Sequence, residues 1–320
     1  MTVPDENDPD AMYSAAMELI DEDACRLTDG QWDGDAYRYL LRAAVLGHPD
    51  AQFRLAQFYT TEIDRRFTGD IADIAIEWFE KAAEGGNTRA MLRMSAIWND
   101  DIFLGERDER KSSDYFRRAL ESDPSDAVAQ YEIGVAYAKG EIVEKDMSRA
   151  LEWFRKAAEQ GDRDAEYSVG LCYLDGLGTG RSFEDAERWM HRAAEHGDVN
   201  AMMHMGAWHL HDSYRKAADW FGRAAEQGNF MAMIELGIIY DEDRLGLPDT
   251  RERAKEWFER AAETEGSTVV LEFLADLYEN GEIDVPDSYE KAVYWYTRAA
   301  ARDSSKAIAR LSKMRALKDR

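Results

Sequence analysis

Large apolar residues recur along this chain at a spacing that matches one face of an α-helix. In the clearest copies a tryptophan follows an alanine by three residues and precedes a pair of alanines that begins four residues later; in looser copies a tyrosine takes its place. Positions −3, 0 and +4 lie on one side of a helix. Each copy therefore predicts an amphipathic helix, named helix B, with the aromatic residue as its structural anchor. The anchors are Tyr39, Trp78, Tyr115, Trp153, Trp189, Trp220, Trp257 and Trp295.

A second pattern precedes each helix B. It places an alanine, an aliphatic residue, a small residue and a tyrosine at positions i, i+4, i+5 and i+8, again on one helix face, and we name this helix A. The shortest copy, at Ala201, has lost the connection between its helices, because His211 and Asp212 run almost directly into Ser213. The copies begin at residues 11, 51, 90, 129, 165, 201, 232 and 270, with a half-copy at 307.

The ends of the predicted helices carry residue types that favour those positions. Seven residues before most anchors stands a residue that caps helix N-termini, and eight residues after many of them stands a glycine that can end a helix in the left-handed conformation. None of the prolines interrupts a predicted helix. The capping residues are Asp108, Asp146, Ser182, Ser213, Thr250 and Ser288, and the glycines are Gly47, Gly86, Gly161, Gly197 and Gly228.

The repeats predict an all-α solenoid, because each helix pair can bury its apolar face only by stacking on the next. Three segments follow from the pattern. We expect a disordered acidic tail over residues 1–10, a solenoid of about eight pairs over 11–305, and a C-terminal capping helix over 306–320.

The best copies resemble a known family. Residues 165–178, followed by 184–197, are similar to the Sel-one-like repeat, a relative of the tetratricopeptide repeat, and so are residues 291–300. The resemblance implies antiparallel helix pairs in a right-handed superhelix whose inner surface is lined by helices A. It also implies an adaptor that binds proteins or peptides. Secreted relatives carry a cysteine pair within each repeat, which this chain lacks.

Helices A carry a second apolar stripe outside their core positions. A repeated, exposed apolar surface often marks a binding site, so we predict that a peptide or partner helix binds here, in the groove lined by helices A. The alternative is that the tyrosines pack on the adjacent helix and expose little. The stripe comprises Tyr131, Val135 and Ala138, then Tyr167, Leu171 and Leu174, then Met203, Ala207 and Leu210.

The charge narrows the class of partner. A net charge of −25 repels phosphates and anionic lipids, so we expect neither nucleic acid nor membrane as a partner, and a protein or peptide partner that is basic fits better. The alternative is that the acidity only keeps the protein soluble. No apolar run is long enough to span a bilayer, and the acidic start does not resemble a secretory signal. Both features favour a cytoplasmic protein. We also expect a monomer. The acidic residues 1–35 and the basic residues 301–320 leave head-to-tail association as an alternative.

Catalytic and metal chemistry find little support in the sequence. Ser213 and Ser288 each begin a Ser-x-x-Lys motif, but both fall at helix N-termini in equivalent repeat positions, so capping is the better interpretation. Cys25 and Cys172 are too few and too distant for a disulfide framework or a zinc site. Five histidines lie within 191–211 at spacings unsuited to a shared metal ion, although they could form a pH-sensitive patch. These histidines are His191, His196, His204, His209 and His211.

Three classes of function therefore remain. The leading one is a non-enzymatic interaction scaffold without a cofactor. The second is a regulatory or immunity-type protein that neutralises a basic effector. The third, a hydrolase or metal-binding protein, rests on the weak motifs above.

Overall fold

The computed structural model describes residues 4–20, 34–63, 69–100, 107–122, 124–241, 244–247, 250–265, 268–281 and 288–318. These residues form α-helices joined by turns and short connections, and no strand occurs among them. The all-α class predicted from the repeats is therefore confirmed. The chain divides into two compact units, Met1–Ser182 and Phe183–Arg320.

The first unit stacks four helix pairs and one further helix A. In this unit α1, α3, α5 and α7 each pack against the helix B that follows, and α2, α4 and α8 each pack against the next helix A. The helices A α5 and α7 also contact each other directly. The described helices are α1 (Pro9–Leu19), α2 (Gly34–Val45), α3 (Pro49–Ile63), α4 (Gly69–Glu84), α5 (Thr88–Asn99), α6 (Glu109–Glu121), α7 (Ala127–Lys139), α8 (Met147–Glu159) and α9 (Arg163–Asp175).

The second unit starts with a helix B, continues through three pairs and ends with a single helix. Its helices pack in the same alternating order. They are α10 (Phe183–Glu195), α11 (Val199–His209), α12 (Tyr214–Glu226), α13 (Phe230–Asp241), α14 (Thr250–Glu265), α15 (Thr268–Glu279), α16 (Ser288–Ala300) and α17 (Ser305–Lys318).

The helix ends follow most of the sequence predictions. The five predicted glycines all have positive φ, between 87° and 97°, and Asp303 occupies the same position after Trp295 with φ 62°. Asp108, Asp146 and Ser213 cap their helices through side-chain bonds to backbone N–H groups. Thr250 and Ser288 are each the first described residue of their helix, and the residues just before them lie outside the described part of the chain.

Helices A have their own capping residue, which the sequence analysis missed. Asp8 accepts backbone N–H groups of Asp10 and Ala11, so α1 already begins at Pro9, inside the segment predicted as a tail. The signal was present in the sequence, since Asp, Asn or Ser stands three residues before the alanine of helix A in most copies. Side chains that make this bond are Asp8, Asn87, Asp126, Asp162, Asp198, Asn229 and Ser304.

The residue after each anchor forms the tightest contact between the helices of a pair. A Cβ atom on Gly134 of α7 would lie 2.5 Å from the ring of Phe154 in α8, so only a glycine admits the ring at this distance. Gly206 faces Phe221 and Gly237 faces Phe258 in the same way. These following residues are all at most 4% exposed: Phe79, Phe116, Phe154, Met190, Phe221, Phe258 and Tyr296.

The anchors themselves lie at the edge of this contact. Trp189, Trp220 and Trp295 are buried, whereas Trp78, Tyr115, Trp153 and Trp257 keep part of their surface exposed. In seven pairs a Lys or Arg three residues later lies over the ring, 3.8 to 5.1 Å from its centroid. This cation–π contact covers one face of the anchor ring. It gives the Lys or Arg three residues after the anchor a structural role.

Candidate binding surface

The structure divides the predicted stripe between the two units. Six of its residues lie on α7 and α9 of the first unit, and all six are half-buried. The other three lie in the second unit, Met203 and Ala207 on α11 and Leu210 directly after it; Met203 and Leu210 are half-buried and Ala207 is exposed. Tyr131 packs partly on its own pair, with its ring centroid 5.6 Å from that of Phe154. The stripe thus keeps accessible apolar surface in each unit, and its role in binding stays a prediction.

A cleft of about 470 Å³ opens between two neighbouring helices A of the first unit, α5 and α7. Two stripe residues, Tyr131 and Val135, form part of its wall. Its apolar floor is made of residues that are themselves buried, namely Leu92, Phe116 and Ala136. The cleft therefore offers apolar surface that no described side chain of the protein fills.

Two polar contacts join the elements that surround this cleft. At one end Arg89, in the first turn of α5, donates to both carboxylate oxygens of Asp126, the residue that caps α7, at 2.7 and 2.5 Å. At the other end the guanidinium of Arg107 donates to the backbone oxygen of Glu141 at 3.4 Å. The first contact joins the two helices A directly, and the second joins the segment before α6 to the connection after α7.

The mouth of the cleft carries both signs of charge. Arg93 and Lys139 contribute positive charge, and Glu132 and Glu141 contribute negative charge. Desolvation raises the pKa of Glu132 above its usual range although the residue is exposed, and the nearby Arg93 and Arg89 oppose that shift. A carboxyl with a raised pKa gains from a cation placed beside it, and Arg93 and Arg89 already supply positive charge near Glu132.

Comparison with protein families now identifies the repeat. A model of the Sel1 repeat matches residues 49–87, 127–162, 163–198, 199–229, 230–263 and 271–304, which is more than half of the chain. The chain belongs to the Sel1 repeat family. The resemblance drawn from the sequence is thereby confirmed.

Individual relatives agree with this assignment. A crystal structure of a Sel1 repeat protein from Oxalobacter formigenes is 29% identical, with a TM-score of 0.58, and the match covers 72% of this chain and 94% of that one. A protective antigen of uropathogenic Escherichia coli with the same type of fold gives a TM-score of 0.60 at 23% identity, over 95% of this chain and 64% of the antigen. The chitin synthase regulator SKT5 of Saccharomyces cerevisiae is 29% identical over 133 residues. That match covers 40% of this chain but only 18% of the yeast protein's length.

The pair that lines the cleft departs from the Sel1 repeat pattern. Residues 88–126 fall between two matched segments. In this pair Ser95 replaces the glycine of helix A, and Ser112 replaces the alanine before the anchor. Each serine hydroxyl donates to the backbone oxygen of the other residue at 2.8 Å. Small polar side chains thus join α5 to α6 where other Sel1 pairs use glycine and alanine.

The serines and lysines considered for catalysis lie at the starts of two helices B. Ser213 caps α12, whereas Ser288 is the first residue of α16. Lys216 is exposed, and Lys291 donates to a carboxylate oxygen of Glu259 at 2.9 Å. The two Ser-x-x-Lys motifs therefore sit in different surroundings.

The histidines and cysteines lie apart from one another. His209 pairs with Asp212 at 3.0 Å, and the ring of His191 meets that of Trp220 edge-on. No group of His, Cys, Asp and Glu suited to a metal ion occurs within the described segments. Burial raises the pKa of the Cys172 thiol to about 11, which makes it a poor nucleophile, and Cys25 lies outside the described residues. None of the helices described here is long and apolar enough to cross a membrane.

Proposed function

We propose that this Sel1 repeat protein is a non-enzymatic interaction scaffold whose cleft between α5 and α7 receives an apolar side chain from a partner peptide or helix. The observation that carries the proposal is the 470 Å³ cleft with a buried apolar floor and half-buried stripe residues at its wall. Clefts of this size, mostly apolar with a few polar groups, are typical of ligand sites.

The charges point to a partner with basic residues beside its apolar side chain. The chain carries a net charge of −25, which accelerates encounter with basic proteins. At the mouth of the cleft, a cation next to Glu132 would favour the ionised carboxylate whose pKa desolvation now raises. A regulatory protein that neutralises a basic effector is a special case of this proposal, and we place it in the cytoplasm. The yeast relative described as a chitin synthase regulator supports a regulatory role of this kind.

Peptide selection on the full chain followed by two matched substitutions tests the proposal. Twelve-residue peptides displayed on phage would be selected on the intact protein, and the affinity of the best peptide measured for Val135→Asp and for Val128→Asp. Both valines lie on α7, but Val128 is exposed and lies outside the cleft. We expect Val135→Asp to weaken binding about tenfold or more, since it places a charge on the apolar wall.

The contrary results are equally clear. Equal affinities of the two variants would show that the peptide does not use the cleft. Peptides without an apolar residue or without basic residues would contradict the partner chemistry. Tyr167→Ser together with Leu171→Ser extends the test along α9, since loss of binding with intact helical content would place the recognition surface on the stripe as well.

A further inference from the structure

A second and larger cleft, of about 640 Å³, runs beside α12 in the second unit. Its floor is formed by the buried Trp220, and Tyr240 from the end of α13 closes one side. Leu245 and Leu247, in the segment that follows α13, contribute partly exposed apolar surface. The site thus joins aromatic and aliphatic side chains from two consecutive pairs.

Two connections of different length meet near this cleft. In the sixth pair α11 ends at His209 and α12 begins at Tyr214, so almost no chain lies between the helices. In the next pair the connection runs from Asp241 to Thr250, and its described part reaches α12, with the Arg244 guanidinium 5.1 Å from the centroid of the Tyr214 ring. The described part of this connection therefore lies beside the start of α12.

The equivalent junction in the first unit is closed. There Gly178, in the connection after α9, lies so close to the start of α8 that a Cβ atom on it would come within 2.2 Å of the backbone oxygen of Met147. Ser148 follows Met147 at the position that Arg215 holds in α12, counted from the anchor of each helix. The fold can therefore close this junction, whereas in the second unit the described residues border a cleft here.

The cations at the open junction are not all neutralised. Arg223 is already engaged, since it donates to a carboxylate oxygen of Glu195 at 2.8 Å and lies 4.4 Å from the centroid of Trp220. That contact lowers the pKa of Glu195. Arg215 and Lys216 are exposed, and among the described residues neither has an ion-pair partner within 4.0 Å. Asp219 is the other carboxylate of the lining.

We infer that this cleft binds an acidic peptide segment of a protein partner, with an apolar side chain on Trp220, Leu245 and Leu247 and carboxylates at Arg215 and Lys216. Charge complementarity selects this occupant. The chain as a whole repels acidic proteins through its net charge of −25, so two cations beside an apolar floor form a local exception. The first-unit cleft suits a basic partner, and a chain with both sites can bring two partners of opposite charge together.

Fluorescence anisotropy with the full-length protein tests the inference. The probe is a fluorescein-labelled peptide with one leucine between pairs of glutamates, compared with one in which glutamine replaces every glutamate and one in which glycine replaces the leucine. We expect the acidic leucine peptide to bind about tenfold more tightly than either, and Arg215→Glu with Lys216→Glu to weaken it by about tenfold or more at moderate salt. The control is Lys313→Glu with Arg315→Glu, which makes the same charge change at two exposed positions of α17.

Two outcomes would contradict binding of an acidic peptide in this cleft. Equal binding of the glutamate and glutamine peptides, or an equal loss in both double variants, would mean that the cleft does not recognise carboxylates. A dimer in light scattering that the cleft variant alone dissociates would assign the cleft to a second copy of the chain. If Arg215→Glu with Lys216→Glu loses its circular dichroism, Arg215→Gln with Lys216→Gln replaces it and is expected to weaken binding severalfold. None of these results bears on the first-unit cleft, whose test uses different residues.

Discussion

The two sides of a helix A in this protein are built by different rules. The side that faces its own helix B is dry and tight, as where Gly134 admits the ring of Phe154. The side that faces a neighbouring helix A varies along the chain: Arg89 pairs with Asp126 between α5 and α7, and apolar residues line the cleft between the same two helices. In the second unit the stripe positions of α15 are the carboxylates Glu272, Asp276 and Glu279, which bind basic residues of α17.

This difference shows where such a repeat protein can vary. Contacts within a pair depend on a close approach of the two helices, so most copies keep a small residue opposite a large buried one. Contacts between helices A need only hold two helices at a distance, and apolar, ionic or open arrangements all achieve this. The stripe positions are apolar in α7 and acidic in α15, so this is the surface on which one repeat differs from the next.

Truncation of the contact within a pair should have the largest effect. Phe154 is 4% exposed, and Phe154→Ala is expected to lower the free energy of unfolding by about 3 to 5 kcal/mol through lost burial and a cavity. Urea denaturation followed by circular dichroism measures the loss. The matched control is Trp153→Ala, the neighbouring anchor, which is half-exposed and should cost less than half as much. A larger loss of unfolding free energy for Trp153→Ala would mean that the anchor contributes more to the contact than Phe154 does.

Addition of one methyl group to the same contact should have the next largest effect. Gly134→Ala places a Cβ atom 2.5 Å from a carbon of the Phe154 ring, and such overpacking costs about 1 to 3 kcal/mol. Gly222→Ala is the control, because Gly222 lies inside α12 and a Cβ atom added there would meet no atom within 4 Å. Alanine at that position favours the helix by up to about 1 kcal/mol. We expect the urea denaturation midpoint to fall for Gly134→Ala and to rise for Gly222→Ala. Equal shifts for the two variants would contradict the close contact at Gly134.

The sequence predicted the regular parts of this fold because helical periodicity and glycine chemistry are local. The left-handed Gly161 and the cap of Asp146 depend only on nearby residues and were found. The sequence did not show which of two adjacent aromatic residues is more deeply buried. Trp153 and Phe154 differ by about 100° around the helix axis, and the position of the partner helix decides which of them is buried. The clefts also escaped the sequence analysis. Their volumes depend on how two connections or two helices A lie beside each other, which no repeat pattern encodes.

Charge reversal at the last contact between helices should have a smaller, local effect. Lys306 of α17 lies 2.6 Å from Asp276, whose other oxygen accepts from the Tyr296 hydroxyl. Asp276→Lys places like charges together and should destabilise α17 by about 1 to 2 kcal/mol. Amide hydrogen exchange is the measurement, with faster exchange confined to residues 305–318. Glu290→Lys, at an exposed position of α16, makes the same charge change and should leave that exchange unaltered, so acceleration by both variants would refute the role of this pair.

The ion pair beside the first-unit cleft should have the smallest effect, and one that depends on pH. Arg89 holds the pKa of Asp126 below its ordinary value of 3.8, so the pair stabilises the fold above that pH and loses its contribution as pH falls through the lowered pKa. Both side chains are about a third or more exposed, which limits the expected cost of Arg89→Met to about 0.5 to 1 kcal/mol at neutral pH. The difference in urea midpoint between wild type and Arg89→Met should shrink below about pH 4 and should also decrease in high salt. A difference that is constant from about pH 7 to pH 3 would mean that the arginine acts through its aliphatic packing, and the contact between these helices A would then follow the same apolar rule as the contact within each pair.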